Sequence, residues 1–552
     1  MYRFFEILPG ALAWSTLILM VVLSWALPAA AAVFIILFDI YWLLKTIYLS
    51  LHLRATFSEM KRNLKVNWLE RLEQIANRGS TVQSGSPSKD KSQIANDKRL
   101  APCDWQSIYH LVILPMYREP YEVVRESFES LLAANYPKDR FVVVLATEEA
   151  AGEEARVVAS KIGKEFGNEF YKFLITVHPK NLPGEIPGKG SNETWAAKEA
   201  KRLIIDPLLC GYDDNDNNND GHEDPSRHSH SHGYCYSNIL VSVFDIDTQV
   251  FPEYFGRLTY VFLNAENPLR AIYQPIPLYT NNIYQASVFS RVVSFSNTFW
   301  HMMQQMRPER LRSYSSQSLP FQVVVDVGFW HTDIVSEDSR IFFQGFLRYH
   351  GDFRTEPLTY PVSMDANAAP SFWQTMKNLY KQIRRWGWGV ENIPYMLDGF
   401  RRDTKIPKRK KWYWSFNELE GFHSWATNSL MIFALGWLPI ILGGREFNYT
   451  LLSYSLPQVA RFIIQLSMIG IASSAVISIF LLPPRPLWFR WRHYVFYVLQ
   501  WILIPITLIV FGAFPALESQ TRLMFGGKFR LGFWVTPKTR SGVGRERQGS
   551  PV

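Results

Sequence analysis

Long stretches without a single charged residue constrain the fold of this chain more than any other feature of its sequence. They cover residues 7–38, 421–444, 462–484 and 494–517. A helix of about 20 apolar residues is long enough to cross the hydrocarbon core of a bilayer. Pro28 divides the first stretch and apolar residues continue to about Leu51, so the sequence predicts a hairpin of two spanning helices within residues 1–53. We therefore expect a multi-pass membrane protein.

The distribution of charge agrees with this expectation. Of the 552 residues, 47% are hydrophobic, 15% are aromatic and only 19% are charged, and the net charge is +9. A basic cluster precedes the second apolar stretch and consists of Arg401, Arg402, Lys405, Lys408, Arg409, Lys410 and Lys411. Such clusters are typical of the cytoplasmic edge of a membrane, where they face anionic lipid. Nucleic-acid binding is not expected, because these residues adjoin apolar stretches instead of alternating with exposed aromatic residues.

The segment at 54–109 combines a basic juxtamembrane part with a flexible linker. Four basic residues follow the hairpin: Arg54, Lys61, Arg62 and Lys65. They favour the cytoplasmic side for the domain that comes next. Residues 78–100 are rich in Ser, Gly, Asn and Lys, which is typical of a linker. The three cysteines form no CxxC pair, so we expect a reducing compartment and neither a disulfide framework nor a zinc–thiolate site.

Two charged residues, Asp39 and Lys45, lie within the second predicted helix. One interpretation is structural: the two side chains pair inside the protein, or Lys45 extends its ammonium group to the membrane surface. The other is functional: the two residues belong to the polar lining of a conduit through the membrane. The sequence alone leaves both interpretations open.

Residues 110–400 alternate between strand-like and helix-like segments. Leu111 to Leu114 and Phe141 to Leu145 are short apolar runs, each followed by a loop and a helical pattern. Buried strands of a parallel sheet have such continuous apolar runs. The sequence therefore predicts an α/β domain inserted between transmembrane helices. Residues 401–517 then supply a basic interface segment and C-terminal transmembrane helices, and residues 518–552 an interfacial helix and a basic tail.

An acidic and histidine-rich insertion occupies residues 211–233. Within it, residues 216–224 match a DxNxDGxxD calcium-loop pattern, although Arg227 stands where a complete EF-hand has Glu. The histidines of the insertion are potential ligands for a transition metal, and its composition is equally typical of a solvated low-complexity loop. All three interpretations remain open.

A pair of carboxylates follows a third apolar run. Asp245 and Asp247 come after Ile239 to Phe244, and alternate positions at the end of a strand allow both carboxylates to address one cation. Oxygen ligands suit Mg²⁺ or Mn²⁺, which in turn hold a diphosphate. Because open α/β sheets bind ligands at the carboxyl ends of their strands, this position favours a functional site.

Two later motifs carry further chemistry. Glu337 and Asp338 are an acid pair that can supply a general base, although a helix N-terminus explains such residues equally well. Gln382, Arg385 and Trp386 lie in the segment KQIRRWGWG. Arginine pairs with phosphate and tryptophan stacks on sugar rings, whereas an amphipathic helix at the membrane surface is the structural alternative.

In their order, these motifs resemble those of the family 2 membrane glycosyltransferases of the cellulose synthase and hyaluronan synthase type, which have PxYNEP, GKxxN, DxD, ED, QxxRW and FxVTxK. Here they are Pro115-Met-Tyr117-Arg-Glu119-Pro120, Lys189-Gly-Ser-Asn192, Asp245-Ile-Asp247, Glu337-Asp338, Gln382 to Trp386, and Phe533 to Lys538. The resemblance implies a GT-A nucleotide-sugar domain and inverting transfer from a UDP- or GDP-sugar, with Mg²⁺ or Mn²⁺, at the cytoplasmic face of the cell membrane. The implied acceptor is a polysaccharide or a lipid-linked sugar, and partner subunits of a synthesis or export complex are expected.

The resemblance also implies a role for each matching residue. Those of the donor site are Tyr117 and Glu119 at the nucleoside, Lys189 and Asn192 along the nucleotide-sugar, Asp245 at the diphosphate, Asp247 with Asp245 at the metal, and Thr536 and Lys538 closing over the nucleotide. Those of the transfer site are Asp338 as the base and Gln382, Arg385 and Trp386 at the diphosphate and the acceptor. Two positions depart from the family pattern: Arg118 replaces an asparagine, and Glu148 stands near the place of an aspartate that contacts the nucleobase.

Two other functions remain open, a non-processive transferase that adds one sugar to a lipid carrier and a catalytically silent membrane partner of a polysaccharide complex. The retained Asp245, Asp247 and Asp338 argue against the silent partner. The topology poses a further question, because an even number of spans must separate the domain from a gating segment on the same side, yet three apolar stretches lie between them. One stretch is therefore expected to be re-entrant or bent, with Pro439 and Pro505 as break points.

Overall fold

The computed structural model describes residues 1–82, 104–210, 235–532 and 534–536. The insertion at 211–233, most of the linker at 78–100, and Phe533 and Lys538 of the C-terminal motif lie outside the described residues. The predictions made for these segments therefore stay predictions.

One mixed sheet forms the centre of the α/β domain. Its strands are β1 (Tyr109–Pro115), β2 (Phe141–Glu148), β3 (Lys172–His178), β4 (Ile239–Val243), β5 (Gln249–Val250), β6 (Ala271–Leu278), β7 (Ser318–Pro320) and β8 (Arg354–Ser363). The strand order is β3-β2-β1-β4-β7-β6-β8-β5. Strands β3, β2, β1 and β4 are parallel, as the apolar runs predict, but β7 is antiparallel to both of its neighbours. The prediction of a parallel sheet is therefore correct for these four strands, whereas β5 is also antiparallel to its neighbour β8. The two and three residues of β5 and β7 are too few to show a periodic pattern.

Helices cover both faces of this sheet. They are α3 (Trp68–Val82), α4 (Tyr121–Leu132), α5 (Glu153–Phe166), α6 (Lys189–Ala200), α7 (Asp206–Cys210), α8 (Tyr254–Asn264), α9 (Val288–Gln305), α10 (Phe321–Asp326), α11 (Glu337–Arg348), α12 (Phe372–Gly387) and α13 (Asn392–Arg402). Alternate residues of β1 point to opposite faces. Val112 packs in the cluster that contains Phe128, whereas Leu111 packs in the cluster that contains Phe342. Both faces of the strand are buried, which explains its continuous apolar run.

A second group of helices contains the apolar stretches. They are α1 (Tyr2–Ala26), α2 (Pro28–Asn63), α14 (Lys408–Phe433), α15 (Leu438–Leu442), α16 (Gly444–Asn448), α17 (Leu451–Phe480), α18 (Trp491–Leu499), α19 (Ile504–Leu508) and α20 (Phe514–Phe525). By length and hydropathy, α1, α2 and the composite segment Trp491–Phe525 are long and apolar enough to cross a membrane. The segments Lys408–Phe433 and Leu435–Leu442 pass the same test together and are bent by 48°. Pro439 lies in the first turn of α15, just after this bend.

Packing contacts show how these helices are arranged. At one end of α2, Ala31 packs in a cluster with Met431 of α14 and Leu456 of α17. At its other end, the ring of Phe57 lies 6.4 Å from the ring of Phe480. Helices α2 and α17 therefore run in the same direction, whereas α14 runs from the α/β domain towards the far end of the bundle.

The last apolar stretch begins and ends against the α/β domain. At its start, the ring of Phe489 lies 4.9 Å from the ring of Tyr284. At its end, Ser519 donates a hydrogen bond to the carbonyl of Arg384 in α12 at 2.8 Å. Between these points α18, α19 and α20 are separated by a 3-10 turn and a π turn, and Pro505 lies in the first turn of α19. Both ends of this stretch therefore lie against the α/β domain.

Part of the basic cluster before α14 binds the protein itself. Arg401 and Arg402 form ion pairs with Asp398. Lys410 donates a hydrogen bond to the carbonyl of Gly351 at 2.8 Å, and Lys411 donates one to the carbonyl of Phe400 at 2.6 Å. Lys410 and Lys411 therefore anchor the start of α14 to the α/β domain. Arg401 and Arg402 pair within their own helix, α13, and remain exposed, so the expectation that they face lipid stays a prediction.

Candidate functional site

A single cavity of about 1290 Å³ collects the residues that the sequence motifs singled out. It opens at the carboxyl ends of β1, β2 and β4 and continues between α2, α14 and α17. The predicted site residues that line it are Tyr117, Glu119, Lys189, Asn192, Asp245, Asp247, Asp338, Gln382, Arg385, Trp386 and Thr536. Of the predicted set, Lys538 alone lies outside the described residues.

The two carboxylates of the DxD motif lie in a turn after β4. Strand β4 ends at Val243, and the amide of Thr248 donates a hydrogen bond to the carbonyl of Asp245 at 2.8 Å. Asp245 Oδ2 accepts a hydrogen bond from Ser315 Oγ at 2.8 Å, and the buried Asp247 accepts one at Oδ2 from the amide of Asp365 at 2.9 Å. The expectation of alternate positions on the strand itself was wrong, but the turn still brings both side chains into one cavity.

Lys189 connects the DxD motif to the acid pair. It is the first residue of α6, and its Nζ lies 2.9 Å from Asp245 Oδ1 and 4.0 Å from Glu337 Oε1. Burial alone would lower the pKa of Lys189, but the surrounding carboxylates, led by Asp245, raise it above its usual value. A Cβ at Gly190 would lie 3.0 Å from the Cβ of Glu337, so glycine allows α6 to approach α11 here. The ammonium group is thus held between two acidic motifs.

Sequence reasoning missed Glu193, which lies one helical turn after Lys189 on α6. Its side chain is buried, and Oε2 has no hydrogen-bond partner among the described residues. Burial raises the pKa of Glu193 well above its usual value, and the ammonium group of Lys189 opposes the shift. The spacing of four residues from Lys189 was the signal available in the sequence, because residues i and i+4 share one face of a helix.

Glu337 and Asp338 form the first turn of α11. Ser336 is the N-cap residue, but its side chain does not cap this helix. Burial, followed by repulsion from Asp338, raises the pKa of Glu337 to about 8. Burial also raises the pKa of Asp338, while Lys189 opposes the shift. Such raised pKa values favour proton acceptance, because a carboxylate with a higher pKa is a stronger base.

A buried carboxylate, Glu391, holds the start of α11 in place. Its Oε1 accepts hydrogen bonds from the amides of Val335 and Ser336 at 3.2 and 3.1 Å and from Ser336 Oγ at 2.7 Å. Its Oε2 accepts one from Trp388 Nε1 at 2.8 Å. Glu391 therefore joins the acid pair to the segment that follows Trp386. No sequence pattern indicated this role.

The QxxRW motif at residues 382–386 lies on α12, and only some of its side chains line the cavity. Gln382, Arg385 and Trp386 line the cavity, and the ring of Trp386 lies 6.5 Å from the ring of Tyr279. Arg384 instead forms an ion pair with Glu518 of α20 at 2.7 Å. The neighbouring arginines therefore have different environments, one at the cavity and one at the C-terminal helix.

The described part of the C-terminal motif lies beside α12. The ammonium group of Lys381 lies 5.1 Å from the ring centre of Trp534. Thr536 is 6% exposed and lines the cavity, and its Oγ1 has no hydrogen-bond partner among the described residues. The chain thus returns to the cavity after α20, on the side of the α/β domain.

The opposite end of the cavity lies at β1 and β2. Glu119 Oε2 accepts a hydrogen bond from the amide of Tyr117 at 2.7 Å. Arg118 donates hydrogen bonds to the carbonyls of Ala151 and Ala150 at 3.1 and 3.2 Å. Arg118 stands where the family pattern has asparagine, and the structure gives it a role of its own. Its side chain ties the segment after β1 to the turn after β2.

Polar side chains also line the part of the cavity that lies among the apolar helices: Asp39, Lys45, Thr46, Ser50, Asn428, Ser429, Ser467, Ser474 and Thr507. Lys45 Nζ lies 2.7 Å from Glu420 Oε1 of α14, and its ammonium group lies 4.3 Å from the ring centre of Trp42. An internal Asp39–Lys45 pair, one of the structural alternatives, does not form. The geometry favours the polar-lining interpretation instead.

The donor set suits a divalent cation that shares its coordination with a substrate. The described residues contain no group of three or more His, Cys, Asp or Glu side chains that could hold a metal unaided. Mg²⁺ and Mn²⁺ sites of phosphate-transfer chemistry typically use one or two carboxylates plus phosphate and water oxygens. Asp245 and Asp247 provide such a pair.

No protein-family model matches the chain, and no curated protein matches it either. Among solved structures, it is similar to the mannosyltransferase PcManGT from Pyrobaculum calidifontis in complex with GDP-Man and Mn²⁺, with 10% identity and a TM-score of 0.35 over 83% of this chain and 99% of that chain. It is also similar to S. aureus TarS 1-349 in complex with UDP-GlcNAc, with 12% identity and a TM-score of 0.33 over 67% of this chain and 90% of that chain. At these TM-scores the similarities transfer neither fold nor activity, and a functional proposal must rest on the geometry of this chain.

Proposed function

We propose that this protein is a membrane-embedded glycosyltransferase that moves a sugar from a nucleotide-sugar to a growing polysaccharide. One observation carries the proposal: a single cavity contains the paired carboxylates Asp245 and Asp247, the acid pair and Arg385, and continues between the membrane helices. Hydrolysis or binding alone would not require a passage of this kind. The agreement with the order of motifs in the family 2 membrane glycosyltransferases supports the same function.

The donor's diphosphate is expected at Asp245, Asp247 and Arg385. A bound Mg²⁺ or Mn²⁺ would neutralise the diphosphate and stabilise it as a leaving group. Arg385 and Gln382 of α12 face the same space and would hold the diphosphate from the other side. Lys189 and Asn192 are expected along the nucleotide-sugar, and Thr536 near the nucleotide, with Lys538 in the same motif.

Asp338 is expected to be the catalytic base. It would take the proton of an acceptor hydroxyl while the hydroxyl oxygen attacks the anomeric carbon and the bond to the diphosphate breaks on the opposite face, which inverts the configuration. General-base catalysis typically contributes ~10²–10⁴ in rate, and alignment of the two substrates supplies much of the remainder. The four hydrogen bonds at Glu391 would keep Asp338 in position for this step.

The membrane part of the cavity favours a polysaccharide over a lipid-linked acceptor. Trp386 and Tyr279 lie beside the catalytic carboxylates and offer rings on which a sugar can stack. Beyond them the lining includes Ser467, Ser474 and Asn428. Polar side chains in a membrane interior are costly unless they line a polar path. Ser467 and Ser474 already donate to backbone carbonyls of their own helix, but their hydroxyl oxygens can still accept hydrogen bonds. A chain of sugars would supply donors to them, whereas an acyl chain would supply none.

We further propose that four helical segments cross the membrane and that the α/β domain is cytoplasmic. Helices α1 and α2 form one pair of crossings, and α14 with α15, and α17, form a second pair. Because both ends of the stretch at 491–525 lie against the α/β domain, this stretch is expected not to cross, so an even number of crossings precedes Thr536. Arg54, Lys61 and Arg62 near the end of α2, and Lys65 after it, favour the cytoplasmic side of the cell membrane for the domain.

The experiment that tests this function measures turnover by the purified protein in lipid nanodiscs. UDP- and GDP-sugars would be supplied with Mg²⁺ or Mn²⁺, and nucleoside diphosphate release and product length would be followed together. Long products are expected. Products that carry a single added sugar would favour the non-processive transferase, and release of no nucleoside diphosphate from any donor would favour the catalytically silent partner of a synthesis complex.

A further inference from the structure

The first turn of α1 binds the C-terminal end of α20. Arg3 Nη1 donates a hydrogen bond to the carbonyl of Leu523 at 3.0 Å, and its Nη2 donates one to the carbonyl of Met524. Gly526, which follows α20, has a φ of 65°, a backbone conformation that favours glycine. A Cβ at this position would lie 2.7 Å from Arg3 Nη1. The glycine therefore allows the chain to turn beside the guanidinium group as it leaves α20.

Glu6 connects this contact to the segment that follows α20. The residue is 3% exposed, and it comes just before the first charge-free stretch of the sequence. Its Oε2 accepts a hydrogen bond from Arg3 Nη1 at 2.8 Å, and its Oε1 accepts one from Arg530 Nη2. Two guanidinium groups thus share one buried carboxylate. Because the carboxylate is buried, solvent and salt screen these contacts less than they screen a surface ion pair.

The segment that Glu6 holds leads to the functional site. Leu531, the residue after Arg530, packs against the cluster that contains Val335 and Trp388. Val335 comes directly before the N-cap residue of α11, and Trp388 comes directly after α12. Thr536 follows in the same segment and lines the cavity. A side chain that fixes Arg530 therefore fixes the start of the segment that brings Thr536 to the acid pair and the QxxRW motif.

We propose that Glu6 is a positioning residue for nucleotide binding, because through Arg530 it holds the segment that carries Thr536 at the cavity. The inference rests on the proposed function, in which Thr536 lies near the nucleotide. Glu6 does not line the cavity itself, so it acts only through the chain that it holds. A segment that is already ordered loses less conformational entropy when a ligand binds. Release of Arg530 should therefore weaken nucleotide binding more than it slows proton transfer to Asp338.

The test measures two quantities on the full-length protein in nanodiscs with Mn²⁺: the Kd for GDP and UDP, and the kcat for transfer. In Glu6→Gln a neutral amide replaces the shared charge. We expect the Kd for the nucleotide that the wild-type protein prefers to rise by ~10-fold, because a charge-assisted hydrogen bond is weakened. The kcat at saturating donor should fall less than ~3-fold. A purely structural defect would instead reduce the amount of active protein and leave the Kd of the remainder unchanged.

Variants of Arg530 test the same contact from its other side. The side chain of Arg530 is 50% exposed, so its replacement puts the fold at little risk. Arg530→Gln should raise the Kd as Glu6→Gln does, whereas Arg530→Lys keeps the charge and should stay within ~3-fold of the wild type. The double variant Glu6→Gln/Arg530→Gln should bind nucleotide no more weakly than either single variant, because residues that act through one contact are not additive.

The matched control is Glu446→Gln, which makes the same change at an exposed carboxylate of α16 and should keep the wild-type Kd and kcat. A wild-type Kd in both Glu6→Gln and Arg530→Gln would overturn the positioning role while leaving the proposed function intact. Additive effects in the double variant would also overturn it. If the wild-type protein binds neither GDP nor UDP, the proposed function itself is refuted.

Discussion

Replacement of Glu391 by glutamine tests whether catalysis depends on how the acid pair is held. The carboxylate accepts four hydrogen bonds: three at Oε1, from Val335 and Ser336, and one at Oε2, from Trp388. A glutamine can keep the three bonds to one oxygen. Its amide N–H₂ then faces the indole N–H of Trp388, so that two donors meet in a buried place.

The loss of this bond and the unsatisfied donor should lower the free energy of unfolding by about 1–3 kcal/mol. The larger effect is expected in turnover, because a shift of about 1 Å in a catalytic group can reduce the rate by ~10²-fold. We expect kcat of Glu391→Gln to fall by at least ~10-fold while the Kd for the nucleotide changes less than ~3-fold. Such a split between turnover and binding would not follow from a general loss of folded protein.

The assay is steady-state release of nucleoside diphosphate, with nucleotide binding measured on the same preparation. Glu356→Gln is the control, because Glu356 forms an ion pair with Arg354 at 2.6 Å on β8 and does not line the cavity. An unchanged kcat in Glu391→Gln, or an equal loss of kcat and binding, would refute a positioning role for Glu391.

Three further outcomes are expected. Removal of divalent cations with EDTA should abolish transfer and weaken nucleotide binding. Addition of Mg²⁺ or Mn²⁺ should restore both transfer and binding. Full activity without metal would contradict the role of Asp245 and Asp247. Because burial raises the pKa of Glu148 to about 7 and only its ionised form would accept a nucleobase N–H at both oxygens, nucleotide binding should weaken as the pH falls from 8 to 6. The Glu148→Gln variant should lose this component and keep only that of the phosphate. Replacement of residues 213–232 by a short Gly/Ser link should leave folding and basal transfer intact. Loss of the fold would contradict the expectation that this insertion is a solvated loop outside the α/β core. Loss of a calcium response would support the calcium-loop interpretation.

The sequence predicted those parts of the protein that depend on local pattern. The apolar runs at β1, β2 and β4 are strands, because residues buried on both faces leave a continuous apolar signature. The motifs around Asp245, Asp338 and Arg385 line one cavity although they are far apart in the chain. Their common placement could be expected because loops at the carboxyl ends of strands meet at one edge of a sheet.

Contacts between distant segments were beyond the reach of the sequence. The ion pair of Lys45 with Glu420 joins residues of two helices that no periodic pattern relates. The same is true of Glu391, whose hydrogen bonds depend on the angle at which α11 meets the segment after α12. The contact of both ends of the stretch at 491–525 with the α/β domain was also not predictable, since hydropathy reports the apolar length of a segment and not whether its ends lie on one side.

The most direct test of the central claim compares nucleotide binding with sugar transfer in Asp338→Asn. Asparagine keeps the size of the side chain and part of its hydrogen bonding but cannot accept a proton as a base. Nucleotide binding should survive, because Asp245, Asp247 and Arg385 are unchanged, while transfer from the preferred nucleotide-sugar should fall by ~10²-fold or more. The companion variant Glu337→Gln should reduce transfer less. An Asp338→Asn protein that binds the donor and transfers sugar at a near wild-type rate would contradict the account.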